Sequence, residues 1–414
     1  VGRDVDSGRP VFVPPPRSLV TLIGAAGAGK TTRAITLVEG LVDHGASLTV
    51  LDAKGSRALA RRCLELAERH ERRFALVSLE PFGDERLDRR RVPWNVVGCG
   101  NPTEVKDTIM SSEDFSEPYY RTTGERGVLA AAGCLAAEGE RPNAATLAAL
   151  LQDPDALAAR LDHLDRSRFA AEAAWILDLT KGELSALRGI ASKLARLIQS
   201  EGGEQLVPDG GPELDLEVAM RTGAIVLFSL PASAYPEHAP QLSRYLTQQV
   251  NAVCGRITRG GRPGRAVFWI DDASGLAAGQ LPALYERARE AGVVVMTAVQ
   301  SLSNLTTLGG ERLHAAALED AELVAVLRQS LPGAASELAE LAGAKEAYEH
   351  AHEVGGTNGW LGHSDETGRR TRRLVEQPIV SPEAIKRLRT GEAVLISRRE
   401  GLTTKRIRIE QAAS

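Results

Sequence analysis

Gly24-Ala25-Ala26-Gly27-Ala28-Gly29-Lys30-Thr31 fits the pattern G-x-x-x-x-G-K-[ST], and its surroundings decide the fold. The run Leu19 to Ile23 before it reads as a buried parallel strand, and the apolar-periodic stretch from about Thr31 to Val42 after it reads as a helix. In a strand–loop–helix unit of this kind, successive backbone N–H groups turn inward and meet the positive end of the helix, which makes a cradle for β- and γ-phosphates. Glycines allow the tight curvature. Gly24, Gly27, Ala28, Gly29, Lys30, Thr31 and Thr32 are the candidate cradle, with Lys30 reaching the phosphate oxygens and the Thr31 hydroxyl on Mg²⁺. ATP and Mg²⁺ are therefore the expected ligands; the alternative is a glycine loop formed by chance.

Working outward, strand signals at Ser47 to Leu51 and Phe74 to Leu79 alternate with a helix from Ser56 to His70. Such alternation predicts an α/β doubly wound sheet. From residue 103 to about 200 the chain changes to alanine-rich amphipathic segments broken at Pro118, Gly139 to Pro142, Pro154 and Gly182, and no strand is expected there. Alternation resumes at Ala224 to Leu230, with a long helix from about Glu237 to Thr258, a strand Ala266 to Ile270, a helix Leu281 to Glu290 and a strand Val293 to Ala298. Two or three further helix–strand alternations follow, ending in helix Pro382 to Leu388 and strand Ala393 to Ile396. The fold class is thus an α/β P-loop NTPase (RecA-like) sheet with helices on both faces and an inserted all-α domain. The expected boundaries are 1–102 and 206–400 for the two parts of the nucleotide-binding domain, 103–205 for the helical insertion, and 401–414 for a charged, poorly ordered tail.

A P-loop fold of this type needs a second strand ending in a carboxylate. Ala266-Val267-Phe268-Trp269-Ile270-Asp271-Asp272 supplies it: Asp271 is the candidate for Mg²⁺ and Asp272 for polarising the attacking water, against the alternative that the pair caps the next helix. Gln300, just beyond an apolar strand, is placed to sense a γ-phosphate. Arg289, in Glu286-Arg287-Ala288-Arg289, is a candidate finger donated across a subunit interface. Taken singly, each is more often an ordinary strand-end amide or surface charge.

Net charge is −4 with 50 Lys and Arg against 54 Asp and Glu, so any contact with nucleic acid has to come from a local basic surface. Arg61, Arg62, Arg72 and Arg73 are matched by Glu65, Glu68 and Glu71, as on a solvated helix face. The runs Arg86 to Arg91 and Arg256 to Arg265 are less balanced, and the second could touch phosphates, although a plain solvated loop is the commoner explanation. Cys63, Cys99, Cys134 and Cys254 lie far apart, which predicts neither a zinc site nor a disulfide framework and fits a reducing, cytoplasmic compartment. His350 and His352 lack a third ligand. No apolar run is long enough for a membrane helix; the first residue is Val, so an anchor preceding it is left open.

With these residues on the page, the chain resembles the type IV secretion coupling proteins, the TraG/TraD-like conjugative DNA-transfer ATPases of the FtsK–HerA superfamily. The resemblance runs from Gly2-Arg3-Asp4 and Gly8-Arg9-Pro10-Val11 through the phosphate loop to Leu51-Asp52-Ala53-Lys54-Gly55, which looks like the family's D-P-K-G. Pro81-Phe82-Gly83 and Trp94-Asn95 are similar to its P-F-G and W/Y-N-P segments. Ala288-Arg289-Glu290-Ala291-Gly292 and Ala298-Val299-Gln300-Ser301 look like its A-R-x-x-G and A-T-Q-S, and Ser381-Pro382-Glu383-Ala384-Ile385 with Gly391-Glu392-Ala393-Val394 is similar to its closing unit. The resemblance implies Arg289 as a trans-acting finger, Gln300 as a γ-phosphate sensor, a homo-hexameric ring, single- or double-stranded DNA in a central channel, and relaxase or secretion-system proteins as partners. It also implies a place at the cytoplasmic face of the inner membrane. Three departures stand out: Asp272 where the family usually has Glu, Ala53 and Val96 in place of two prolines, and no N-terminal membrane helices in this chain. A nucleotide-gated recruitment platform with little hydrolysis and a soluble HerA/FtsK-like DNA-processing ATPase are the alternative functions.

Overall fold

The computed structural model describes residues 2–98, 100–115, 117–164, 166–208, 211–260, 265–273, 280–352, 370–399 and 403–409. Thus Cys99 and the centre of the Arg256 to Arg265 run lie outside the described residues. So do the side chains of His350 and His352. The short N-terminal strands β1 (Gly2–Asp4) and β2 (Pro10–Val11) precede β3 (Leu19–Ile23), which runs into α1 (Lys30–Asp43). Next come β4 (Ser47–Asp52), α2 (Arg57–Arg69), β5 (Phe74–Ser78) and the single turn α3 (Glu85–Asp88).

Six helices then follow without an intervening strand: α4 (Pro102–Ser112), α5 (Pro118–Ala137), α6 (Ala144–Gln152), α7 (Pro154–His163), α8 (Arg166–Leu177) and α9 (Lys181–Gln199). The predicted breakers act as helix starts. Pro118 and Pro154 occupy first-turn positions, where the missing N–H costs nothing, and Asn143 and Thr180 close capping boxes with Thr146 and Glu183. Glycine lets two of these helices approach closely: a Cβ on Gly127 of α5 would lie 2.2 Å from Leu187 Cδ2 of α9.

The chain returns to the sheet through α10 (Leu216–Thr222), β6 (Ile225–Ser229), α11 (His238–Arg259), β7 (Ala266–Asp271), α12 (Leu281–Ala291) and β8 (Val293–Val299). It closes with α13 (Leu302–Glu319), β9 (Leu323–Val326), α14 (Pro332–Leu341), a hairpin β10 (Ala344–His352) and β11 (Arg370–Pro378), α15 (Pro382–Lys386), β12 (Glu392–Ser397) and β13 (Thr403–Arg408). Eleven strands form one sheet in the order β2-β1-β13-β12-β9-β3-β8-β7-β4-β6-β5. From β9 to β5 all neighbours are parallel, whereas β12, β13, β1 and β2 add an antiparallel margin.

Alternation along each parallel strand sends side chains to two cores, because both faces are covered by helices. In β3, Val20 and Leu22 join the core beneath α1 and α2, while Leu19 and Ile23 join the core that α11, α12, α13 and the six-helix stretch share. Trp94-Asn95 ties that stretch to the sheet. The Trp94 indole is fully buried, meets Phe228 edge-on at 5.0 Å and donates to Gln249 Oε1 at 2.9 Å, while Asn95 Nδ2 donates to the Pro142 carbonyl at 2.8 Å.

The expectation of a poorly ordered tail over 401–414 fails for its first half, since Thr403–Arg408 is an ordered strand between β12 and β1; residues 410–414 lie outside the described residues. The strand's polar sequence hid it. Ile407 and Ile409 are buried, and Arg406 and Arg408 pair with the buried Glu392 at 3.0 and 3.4 Å. The basic runs are largely spent on local pairs: Arg86 with Glu68, Arg89 with Glu85, Arg91 with Glu204, and Arg256 with Glu104 and Glu217. Among the described residues no group of His, Cys, Asp and Glu is arranged to hold a metal without a ligand's help, and no helix is long and apolar enough to cross a membrane.

Candidate nucleotide site

The parallel strands end in loops on one edge of the sheet, where an open α/β sheet places ligands. Gly24 donates to the Val299 carbonyl of β8 at 3.1 Å and Ala25 to the Arg328 carbonyl beyond β9 at 2.9 Å, so the phosphate loop is pinned on both sides. Gly29 sits at φ 85°, a left-handed conformation in which a side chain is strained, and it caps α1 without a side-chain bond. The first turn of α1 carries no acidic residue, which leaves its N–H groups and positive end facing the loop.

Lys30 is buried, and its ammonium donates to the carbonyls of Gly24 at 2.7 Å and Ala25 at 3.3 Å. Burial lowers its pKa, with Asp272 pulling the other way. The Thr31 hydroxyl donates to Asp271 Oδ2 at 2.8 Å across 240 residues of sequence, and Thr32 is exposed beside it.

Asp271 ends β7 with its side chain fully buried, and its Oδ1 has no hydrogen-bond partner. Desolvation raises its pKa; Lys54 and the Thr31 hydroxyl recover only part of that cost. Asp272 adopts φ 65°, rare for a residue with a side chain, and this turns its carboxylate to accept from Gln300 Nε2 at 3.0 Å. Lys30, Thr31, Asp271, Asp272 and Gln300 are thus brought together. Arg289 is not among them. It lies exposed near the end of α12, before β8, while Gln300 follows that strand; seven residues of strand separate the two by about 20 Å. There it borders a surface groove of about 800 Å³ with Glu286 and Arg312.

Two members of the site are absent from the sequence-based set. Lys54 follows β4, whose Asp52 is in register with Asp271, and its ammonium lies 3.6 Å from Asp271 Oδ2 and 3.3 Å from Asp272 Oδ2. Burial disfavours the Lys54 charge, but the two carboxylates outweigh it and its pKa is raised. Gln329, beyond β9, is buried with its Nε2 unpaired. The signal for both was present as a polar residue just past a short apolar strand, and strand order was needed to read it.

A family model described as "TraM recognition site of TraD and TraG" matches residues 265–390. No curated protein matches the chain. Among solved structures, the unbound bacterial conjugative coupling protein TrwBdeltaN70 superposes with a TM-score of 0.65 at 16% identity, covering 96% of this chain and 86% of the other. TrwB in complex with ADP and Mg²⁺ gives 0.62 at 17% identity, covering 100% and 91%. VirB4 of Thermoanaerobacter pseudethanolicus gives 0.59 at 14%, covering 99% and 96%. The resemblance read from the motifs therefore stands on a family model from the acid strand through α15 and on a shared fold along nearly the whole chain.

Proposed function

We propose that the chain is the ATP-hydrolysing motor of a conjugative coupling protein, moving or recruiting DNA for type IV secretion. The observation that carries this reading is the convergence of Lys30, Thr31, Asp271, Asp272 and Gln300 on one sheet edge from three separate strand ends, those of β3, β7 and β8. TrwB, with the same fold, has been captured with ADP and Mg²⁺ and with a non-hydrolysable ATP analogue. The donor set suits Mg²⁺: Asp271 offers a buried, unpartnered Oδ1 and Thr31 a hydroxyl beside it. Held there, the ion would offset charge on the phosphates.

In this scheme Lys30 exchanges the two loop carbonyls for phosphate oxygens, and the N–H groups of Gly27 to Thr32 close around them. Asp272, oriented by Gln300, accepts a proton-bearing edge of the attacking water. The position of Arg289 supports a role in trans: it is exposed and remote from its own site, as a residue serving a neighbour in a head-to-tail ring must be. We assign the chain to a homo-hexamer with DNA in its channel, the assembly that the family resemblance implies. The helices between 103 and 205 are the part we assign to substrate contact, and the segment matched to TraM recognition supports a relaxosome or secretion-system partner. Steady-state ATP hydrolysis with and without DNA tests the reading. Lys30→Ala should abolish both rates, and undiminished turnover in that variant would remove the catalytic assignment.

A further inference from the structure

The loop after β4 is built to aim one ammonium at the acid pair. Asp52, fully buried, accepts from the backbone N–H of Lys54 at 2.9 Å and of Ser56 at 2.6 Å, which fixes the turn. Pairing of Asp52 with Asp271 across neighbouring strands sets that turn against the end of β7. The Lys54 side chain is 43% exposed, yet its Nζ stands 3.3 Å from Asp272 and 3.6 Å from Asp271. A half-exposed lysine is free to point into water. Here it points at two carboxylates that are 9% and 0% exposed.

We infer that Lys54 is the resident counter-ion of the acid pair, standing where a divalent cation brings its charge and yielding to it when nucleotide loads; this rests on the proposed metal role of Asp271. Lys30 and Lys54 offset two of the three carboxylates at this edge, and the third, Asp52, is turned to the backbone N–H groups of Lys54 and Ser56, so the empty site attracts a bare cation weakly. Metal arriving with a triphosphate displaces the ammonium from Asp271, and Lys54 stays on Asp272 as a positioning residue for the water-polarising carboxylate. Its flexible four-carbon stem suits that exchange, which a rigid arginine fork would resist. The consequence is ordered loading, metal and nucleotide together.

Mn²⁺ titration of the nucleotide-free protein, with free ion read by electron paramagnetic resonance, tests this. Removing the ammonium in Lys54→Met should tighten Mn²⁺ binding by about tenfold, a solvent-discounted share of a unit-charge interaction at this range. The same variant should bind a fluorescent ATP analogue in EDTA more weakly, because the site has lost positive charge. Generic damage would weaken both, so this opposition of sign separates the role from a structural one. Lys54→Arg should keep Mn²⁺ binding at the wild-type level. Equal or weaker Mn²⁺ binding by Lys54→Met, or none by either protein, overturns the inference while leaving the metal role of Asp271 to its own control. If Asp271→Asn holds Mn²⁺ as strongly as wild type, that metal role falls and the inference with it.

Discussion

The carboxyl edge of the parallel strands and the six helices from Pro102 to Gln199 are built on opposite terms. At the strand ends, Lys30, Asp52, Asp271 and Asp272 are buried charges, and Asp271 Oδ1 and Gln329 Nε2 lack partners. Along the helices the buried groups are mostly Leu, Ile, Val and Ala. The one buried charge among the described residues there, Glu113 after α4, accepts from Gln241 and Tyr245, and other charged residues form pairs nearer the surface such as Arg160 with Glu138 and Arg121 with Glu125. Burying charge without full compensation costs stability, whereas burying Leu returns it. One region is therefore strained toward a ligand, and the other is a scaffold that holds without one.

The contrast breaks most visibly at Arg289. If its role lies in a neighbour's site, Arg289→Ala should lower ATP turnover by roughly 10³ or more. Its exposed position predicts a change in unfolding free energy within about 0.5 kcal/mol. Mixing inactive Arg289→Ala with inactive Lys30→Ala should restore part of the turnover, since mixed rings contain interfaces with both residues intact. Absence of any recovery over a range of ratios, with rings formed, would place the arginine in its own subunit's chemistry. In the scaffold the effect inverts. Leu187 is fully buried against Gly127, so Leu187→Ala should cost about 2–5 kcal/mol in chemical denaturation. Affinity for nucleotide in the folded protein should stay unchanged. A loss of nucleotide affinity matching the loss of stability would show that the helices and the strand edge unfold as one unit.

How much of this was legible differs by region for the same physical reason. The phosphate loop and acid strand could be read because each is a contiguous pattern: a run of strand residues, then Gly29-Lys30-Thr31 or Asp271-Asp272. The helical stretch was legible from its alanine-rich amphipathic segments and its breakers. Lys54 could be quoted as part of a motif yet not placed, since what brings it to Asp271 is the adjacency of β4 and β7, strands that are far apart in sequence. Margin strand β13 was illegible as a strand because half its residues face water and its periodicity competes with charge: only Ile407 in Thr403–Arg408 is buried. The hairpin of β10 and β11 shows the same limit, polar and charged residues outnumbering apolar ones in both strands.

A smaller effect sharpens the comparison at the one residue where strain and function coincide. Asp271 has a folded-state pKa raised above its ordinary value of 3.8, chiefly by burial, even though Lys54 and Thr31 favour its charge. A carboxyl with a raised folded pKa binds its proton more tightly in the folded than in the unfolded chain. Stability is therefore lost as pH climbs from 3.8 through the raised value, and the penalty is largest above it. Asn cannot ionise and can still accept from Thr31, while Lys54 retains Asp272 and water as partners. Nucleotide-free Asp271→Asn should accordingly melt about 2 °C above wild type at pH 7.5, and the gap should narrow as pH falls toward 3.8. Hydrolysis should be lost at the same time. A variant that melts lower at pH 7.5 would mean that the Lys54–Asp271 attraction exceeds the burial cost. The strand edge would then be held by its charges in the empty state, as the helices are held by their leucines.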